Sequence, residues 1–389
     1  MKLLCLGAGG MGALASKTAA GFQSISHITV ADLNLDSASH VAFSCGGKAK
    51  ARTINVSDTA SLVNLMKDAD VVMNSIGPFF RFGVPILKAA ISARTSYFDI
   101  CDDPEPTLEM LRLNDEAKKA GITAVIGIGA SPGITNMLAA RIHGTLDEMT
   151  ELHTAWNIQQ DDENEPSDNL IFSAAIVHWM RQISGNILEC RDGALGNFRP
   201  LEPMVINYPG LGKRTLWTVG HPEPVSLSWS YPELKRSSCF MVMNRWEADL
   251  FKKISAKIDG KEFTLEQAGR YFIDYVNDLS YWEKIKINIA DILDRPALPM
   301  FFVIGKGKRN GLPATAAASL KAMPPGMAKA TGIPMAIAVD MFARERISRK
   351  GVIPPELALD PDEFFAALTP WCTSPAKVSS EKLLDVVVR

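Results

Sequence analysis

Gly7, Gly9 and Gly12 stand at the spacing G-x-G-x-x-G within the run Gly7-Ala8-Gly9-Gly10-Met11-Gly12. In that pattern the first glycine permits a tight turn after a strand. The second lets the backbone approach a pyrophosphate, and the third brings a helix close to the strand. The helix behind them offers unpaired N–H groups and the positive end of its dipole to phosphate. Asp32 follows Gly12 by twenty residues, at the end of the next apolar run. A carboxylate there accepts a hydrogen bond from a ribose 2′-OH and repels a 2′-phosphate. The segment Asp32-Leu33-Asn34-Leu35-Asp36 has no Arg or Lys to hold that phosphate. The pattern points to a dinucleotide cofactor, NAD in preference to NADP. The alternative is a glycine-rich turn in which Asp32 only caps the loop.

Other residues fall where such a cofactor's reactive end would lie, beyond the carboxyl ends of strands. Ser75-Ile76-Gly77-Pro78 ends the fourth apolar run, and Asp58 ends the third. Asp58 also suits a helix N-cap. Arg81 is read as a clamp for a substrate carboxylate or as a solvated helix-start residue. Asp99, Asp102 and Asp103 lie within five residues. Crowded carboxylates raise one another's pKa and attract a cationic amine. Asp102 is the candidate acid or base and Asp103 a substrate contact or helix cap, while Asp99 is read as buried and structural. Pro132 and Gly133 lead into a helix carrying Thr135 and Asn136, whose first N–H groups are read as holding a carboxamide or carboxylate.

Later in the chain, Gly220-His221-Pro222-Glu223-Pro224 is a rigid loop carrying a group that titrates near neutral pH. His221 is the second candidate for proton exchange, with Glu223 orienting it; the alternative is a surface turn. His178, beside Trp179 in an apolar helix, reads as a satisfied core residue. Cys101 sits beside two aspartates, which disfavour its thiolate. No paired Cys/His spacing suits a metal, so none is expected.

These residues need elements to hold them. Lys2–Leu6, Ile28–Asp32, Arg52–Val56, Val71–Ile76, Tyr97–Ile100 and Ile122–Ile128 are short apolar runs separated by helical stretches. Continuous apolar strands alternating with helices predict a parallel sheet covered on both faces, the doubly wound α/β class. One helix is expected over 108–120, ended by Gly121. From about residue 151 the pattern turns irregular, with a loop at 163–168, a helix at 171–183, and a strand at 301–304 leading to a turn at Asn310-Gly311. That part reads as α+β. A helix starting at Pro334 and running to Ile347, and an N-cap at Asp360, are expected near the end.

The 389 residues carry 41 Lys plus Arg against 43 Asp plus Glu. That balance argues against nucleic-acid partners. Six scattered cysteines fit a reduced cytoplasm. The apolar start is too short for a signal peptide, and no run is long enough for a membrane span.

Taken together, four segments resemble the saccharopine dehydrogenase family, most closely its lysine 6-dehydrogenase-like and saccharopine reductase-like members. They are Leu6–Gly12, Asp70–Pro78, Ser96–Asp103 and Gly129–Asn136, and the tail Gly351–Glu356 is also similar. The resemblance implies a nicotinamide-dependent oxidoreductase acting on the CH–NH group of an amino acid or amine. It also implies a discontinuous nucleotide domain at 1–130 and 326–389, with residues 131–325 forming a substrate and dimerisation domain. An opine-type condensation of an amine with a keto acid or aldehyde is the alternative chemistry. A non-catalytic NAD(H)-sensing protein is the alternative class. The expected partners are a small-molecule amine, imine or keto acid and a second copy of the chain.

Overall fold

The structure, a computed structural model, describes residues 1–157, 169–279, 297–373 and 383–389, with only the backbone of 169–175. The expected loop at 163–168 lies outside the described residues.

Five of the expected apolar runs form β1 (Lys2–Leu6), β2 (His27–Asp32), β4 (Val71–Asn74), β5 (Ser96–Asp99) and β6 (Thr123–Val125), whereas β3 (Ala49–Thr53) starts three residues before the expected Arg52–Val56 and, as an edge strand, is mostly exposed. They pair in parallel in the order β3-β2-β1-β4-β5-β6. Between them run α1 (Gly10–Ala20), α2 (Leu35–Ser44), α3 (Thr59–Lys67), α4 (Phe79–Ala93), α5 (Pro104–Arg112) and α6 (Asn114–Ala120). The order reverses between β1 and β4, which opens a crevice at the carboxyl ends of those two strands. The helix expected over 108–120 is two helices, broken at Leu113. α6 ends where Gly121 takes the left-handed conformation at φ 76°.

Past α7 (Ile134–His143) the chain builds a second, mixed sheet. Its long central strand β7 (Glu148–Asn157) is followed by α8 (Asn169–Gln182), β8 (Ile187–Arg191), β9 (Ala194–Phe198), β10 (Pro203–Tyr208) and β11 (Gly212–Val219). Then come α9 (Glu223–Ser230), β12 (Arg236–Ser237), β13 (Cys239–Val242), α10 (Arg245–Asp259) and α11 (Leu265–Asn277). β14 (Phe301–Arg309) pairs with β7 and turns at Asn310-Gly311 into β15 (Leu312–Leu320).

The chain then returns. The helix Met327–Ala343 lies on α1, and β16 (Gly351–Ile353) adds a seventh parallel strand beside β6. The last strand, β17 (Leu384–Val388), pairs instead with β15 in the second sheet. The tail is therefore shared between the two sheets rather than joining the first throughout 326–389. The architecture is the expected doubly wound parallel sheet with a second α+β unit.

Pro334 does not start the returning helix but sits inside it. The helix begins about two turns earlier, after Gly326 at φ 75°, because twelve of its seventeen residues are buried and that packing outweighs the missing proline N–H. It stops at Ala343, so Arg344, Arg346, Arg349 and Lys350 lie beyond its last turn. Gly332 lets this helix approach the first turns of α1. A Cβ there stands 2.8 Å from the Met11 carbonyl and 3.0 Å from the Ala15 nitrogen. Both neighbours are backbone and cannot turn aside. Gly332→Ala is expected to lower unfolding stability by about 1–3 kcal/mol. Urea unfolding of wild type and variant side by side measures it.

Candidate active site

The glycine loop closes on itself in the way a phosphate cradle requires. Gly7 has φ 97°, and a Cβ on Gly12 falls 2.3 Å from the Gly7 carbonyl and from Ser75 Oγ. A Cβ on Gly9 meets nothing within 4 Å, nor does one on Gly77. Gly9 and Gly77 are thus open on the crevice side, which is where a pyrophosphate and a nicotinamide ribose fit. Gly9 caps α1 without a side-chain bond, and no acidic residue stands in that first turn. Asp32 accepts hydrogen bonds from the Ala8 N–H at 2.8 Å and the Asn34 N–H at 2.9 Å. It ties the glycine loop to the end of β2. The chain's own residues here fit a dinucleotide.

Several expected cofactor contacts serve as scaffold instead. Ser75 donates to the Leu6 carbonyl at 3.0 Å, with the Gly7 carbonyl at 3.5 Å as a second acceptor, and its hydroxyl lies against Gly12. Asp58 is exposed and caps α3, accepting from the Ser61 N–H and hydroxyl; those bonds hold its carboxyl below the usual range. Met11 and Gly10 lie in the first turn of α1, with the Met11 carbonyl against Gly332. The Ile76 N–H is taken by Asn74 Oδ1, and the Gly77–Pro78 peptide is cis.

The second glycine loop also differs from expectation. Ser131–Pro132 is cis, and Gly133 has φ 125° with room for no Cβ, which would fall 2.1 Å from the Gly129 carbonyl. The Gly133 N–H donates to Asn136 Oδ1, Ile134 to the Gly129 carbonyl and Thr135 to the Ala130 carbonyl. The first N–H groups of α7 are therefore engaged within the loop, and Pro132 and Gly133 hold a turn rather than a ligand. Asn136 is a buried hub: its amide nitrogen also donates to Ser226 Oγ and Glu356 Oε2. Thr135 donates to Glu223 Oε1 at 2.8 Å. Both sit behind the site and not on its surface.

What the fold brings together is a set of carboxylates and imidazoles. Asp102 and Asp103 leave the carboxyl end of β5. Asp103 is expected to cap α5, but its carboxylate accepts from the Phe80 N–H at 3.0 Å, so it binds the start of α4 instead. Burial, and then Asp102 beside it, raise its pKa despite Arg181 and His178 nearby. Asp99 is fully buried, as expected, and accepts from Tyr97 Oη, Cys101 N and Gly127 N. Burial pushes it up to about 6. From the second sheet come His221 and Glu223, at the exit of β11. His221 Nδ1 is in direct hydrogen-bond contact with Glu223 Oε2, and Ser131 and Thr135 donate to the other oxygen.

Burial alone favours the neutral form of both partners. It pushes His221 down, but Glu223, with Asp102 and Asp103 behind it, outweighs that and raises its pKa. It pushes Glu223 up, but the His221 charge and the two hydroxyls hold it below the usual range. The pair is an imidazolium–carboxylate ion pair, 5% and 0% exposed. The loop is thus buried machinery and not a surface turn. Cys239 Sγ lies within 4.8 Å of both groups. His221 and Glu223 are joined by a hydrogen bond, and both Glu223 oxygens accept from protein groups.

Two residues escaped the sequence reading. His178 is not a satisfied core residue. Its side chain is 25% exposed, and Nε2 lies 3.2 Å from Asp102 Oδ2. Arg181, one turn on, stacks over Phe80 and faces Asp103 at 3.7 Å and Glu105 at 3.4 Å. Arg81, the expected clamp, is exposed over Phe82. The i, i+3 spacing of His178 and Arg181 was the available clue, since it places both on one helix face.

Residues 3–125 match the family described as saccharopine dehydrogenase NADP binding domain. That match spans the nucleotide sheet from β1 to β6. The chain is 24% identical over 255 residues to a carboxyaminopropylagmatine dehydrogenase from Synechocystis, covering 62% of each. It is 31% identical over 162 residues to a carboxynorspermidine synthase from Vibrio cholerae, covering 36% of this chain and 39% of that one. The matches thus span less than two thirds of either relative. Saccharopine dehydrogenase (L-Glu forming) from Saccharomyces cerevisiae superposes with a TM-score of 0.63 at 17% identity, over 99% of both chains. The saccharopine dehydrogenase fold therefore extends through the second sheet as well.

The ion pair fixes a pH dependence. In the unfolded chain the carboxyl titrates near 4.3 and the imidazole near 6.5, so the pair stabilises fully between about pH 4.3 and 6.5. Its contribution is lost as pH falls through the lowered Glu223 pKa or rises through the raised His221 pKa. The Tm difference between wild type and the double variant His221→Asn, Glu223→Gln is expected to be largest within that window. A pH-independent difference in Tm contradicts the ion pair.

Proposed function

We propose that the protein is an NAD(P)-dependent oxidoreductase that interconverts an amine and an imine at the CH–NH group of an amino-acid-derived amine. The observation that carries the reading is that Asp102, after β5 of the nucleotide sheet, lies within electrostatic reach of the buried His221–Glu223 pair that follows β11. Hydride transfer is the chemistry the cofactor supplies when bound. The protein orients the carbon–nitrogen bond and moves one proton. In the oxidative direction Asp102 accepts the amine proton. In the reductive direction Asp102 returns that proton to the nitrogen, while His221, held protonated by Glu223, supplies a fixed positive charge beside it.

The lining supports a substrate that carries both charges. Asp102, Asp103 and Glu105 suit an ammonium, and Arg181 suits a carboxylate. The names of the relatives, a carboxyaminopropylagmatine dehydrogenase and a carboxynorspermidine synthase, support a carboxylated extended amine. Asp32 favours NAD over NADP, although the family description names NADP. The division into 1–130 with 326–389 and 131–325, adjusted for the last strand, belongs to the same reading. So does a homodimer formed through the second sheet, which rests on the family resemblance. Six free cysteines support a reducing, cytoplasmic setting. Among the described residues no helix is long and apolar enough to cross a membrane.

Calorimetric titration of the full chain with NADH and NADPH is expected to show tighter binding of NADH; tighter NADPH binding refutes the role of Asp32. Saccharopine and carboxynorspermidine, each offered with oxidised cofactor, are expected to raise nicotinamide absorbance. Cofactor binding without turnover of any amine, imine or keto acid marks a sensor and overturns the enzymatic reading. His221→Asn is expected to lower kcat by about 100-fold while leaving cofactor Kd within a factor of about two. A loss of cofactor affinity instead removes His221 from the chemistry.

A further inference from the structure

His178 Nε2 has two neighbours that ask opposite things of it. Gln182 Nε2 lies 2.8 Å away and can only donate, so it needs a bare ring nitrogen. Asp102 Oδ2 lies 3.2 Å away and, ionised, can only accept, so it needs a protonated one. With the amide as placed, a bare Nε2 accepts from Gln182 and a protonated one donates to Asp102. Gln182 Oε1 is buried without a hydrogen-bond partner, so a turned amide can present it to a protonated Nε2. The main-chain carbonyl of Gln182 accepts from the Gly220 N–H at 2.8 Å, directly before His221. The end of α8 is thus fixed against the loop that carries the buried pair. Exposure falls from Asp102 at 40% and His178 at 25% to His221 at 5% and Glu223 at 0%. The outer pair touches solvent and the inner pair does not.

We propose that His178 is a positioning residue that passes the reaction proton between Asp102 and solvent, with Gln182 holding its neutral form. This rests on the amine–imine reading above. In oxidation the C–H electron pair leaves as hydride to the nicotinamide cofactor and the carbon–nitrogen double bond forms. The N–H proton goes to Asp102, then to His178 Nε2, and from the imidazolium to water. One hydride and one proton leave the amine, and Asp102 is ionised again for the next turnover. Reduction runs the same steps backwards. Among the described residues the charged groups facing His178 are Asp102 and Asp103 from the loop after β5, with Arg181 on α8 itself reaching Asp103 and Glu105; His221 feels the same two aspartates. α11 packs on α8 through Gly269 against Ile176, an apolar contact.

The test begins without substrate. Nitrogen NMR of the full chain reads which ring nitrogen of neutral His178 carries the proton. The expected result is Nδ1, with Nε2 bare, and a move to Nε2 in Gln182→Leu. Gln182→Met provides the same comparison if the leucine variant fails to fold. A proton on Nε2 in wild type, or an unchanged tautomer in the variant that folds, overturns the proposal. In turnover of carboxynorspermidine or saccharopine, His178→Ala is expected to lower kcat by about 100-fold with cofactor Kd unchanged, and added imidazole is expected to restore part of it. A lowered kcat that imidazole does not restore, with a lowered Tm, assigns His178 to structure and overturns the relay. If wild type turns over neither probe, the enzymatic reading fails, while the tautomer result still decides the His178–Gln182 device.

Discussion

The structure depends on one buried ion pair. His221 and Glu223 carry opposite charges in a place with almost no water, where an isolated charge of either sign is strongly disfavoured. Each makes the other tolerable, and the hydroxyls of Ser131 and Thr135 complete the carboxylate's shell. Ser131 and Thr135 stand at the start of α7, just after the chain leaves the parallel sheet, whereas His221 and Glu223 follow β11 of the second one. The pair therefore pins the loop after β11 to the start of α7. Removing one partner leaves an unpaired buried charge, so site and fold are coupled by the same residues.

Much of the nucleotide half was legible from the sequence. The glycine spacing, Asp32 and six apolar runs each obey a local rule, and each recurs in the structure near its expected place. What they do there is governed by close approach of backbone, which a sequence pattern carries through its glycines. The other half was less legible for a physical reason. His178, Arg181 and Gln182 matter because of what lies opposite them, on loops far away along the chain. Nothing within α8 announces Asp102 or Phe80. Thr135 and Asn136 were read through the N–H groups of their helix start, and the structure adds what the sequence did not announce: their side chains satisfy buried protein groups. A polar residue at a helix start serves either end, and only the tertiary partner decides.

Pro334 teaches the same lesson about backbone. A proline locally favours the first turn of a helix, but twelve buried residues on the Met327–Ala343 helix hold it in the interior. Tertiary packing outweighed the local preference there, as it did when Asp103 turned from α5 to the Phe80 N–H.

Glu356 follows β16, near the end of the chain, and is buried between Asn136 and Ser230. Asn136 in turn fixes the Gly133 turn that orients Ser131 and Thr135. On the ribosome, residues are delivered in order from the N-terminus. The glycine cradle, the acidic loop and both histidines have all emerged long before Glu356 does. The proton-handling half of the molecule thus stays without its rear support until Glu356 has emerged. A nascent chain can acquire the nucleotide cradle early, but the reaction chamber closes behind it only after more than two hundred further residues have followed Asn136.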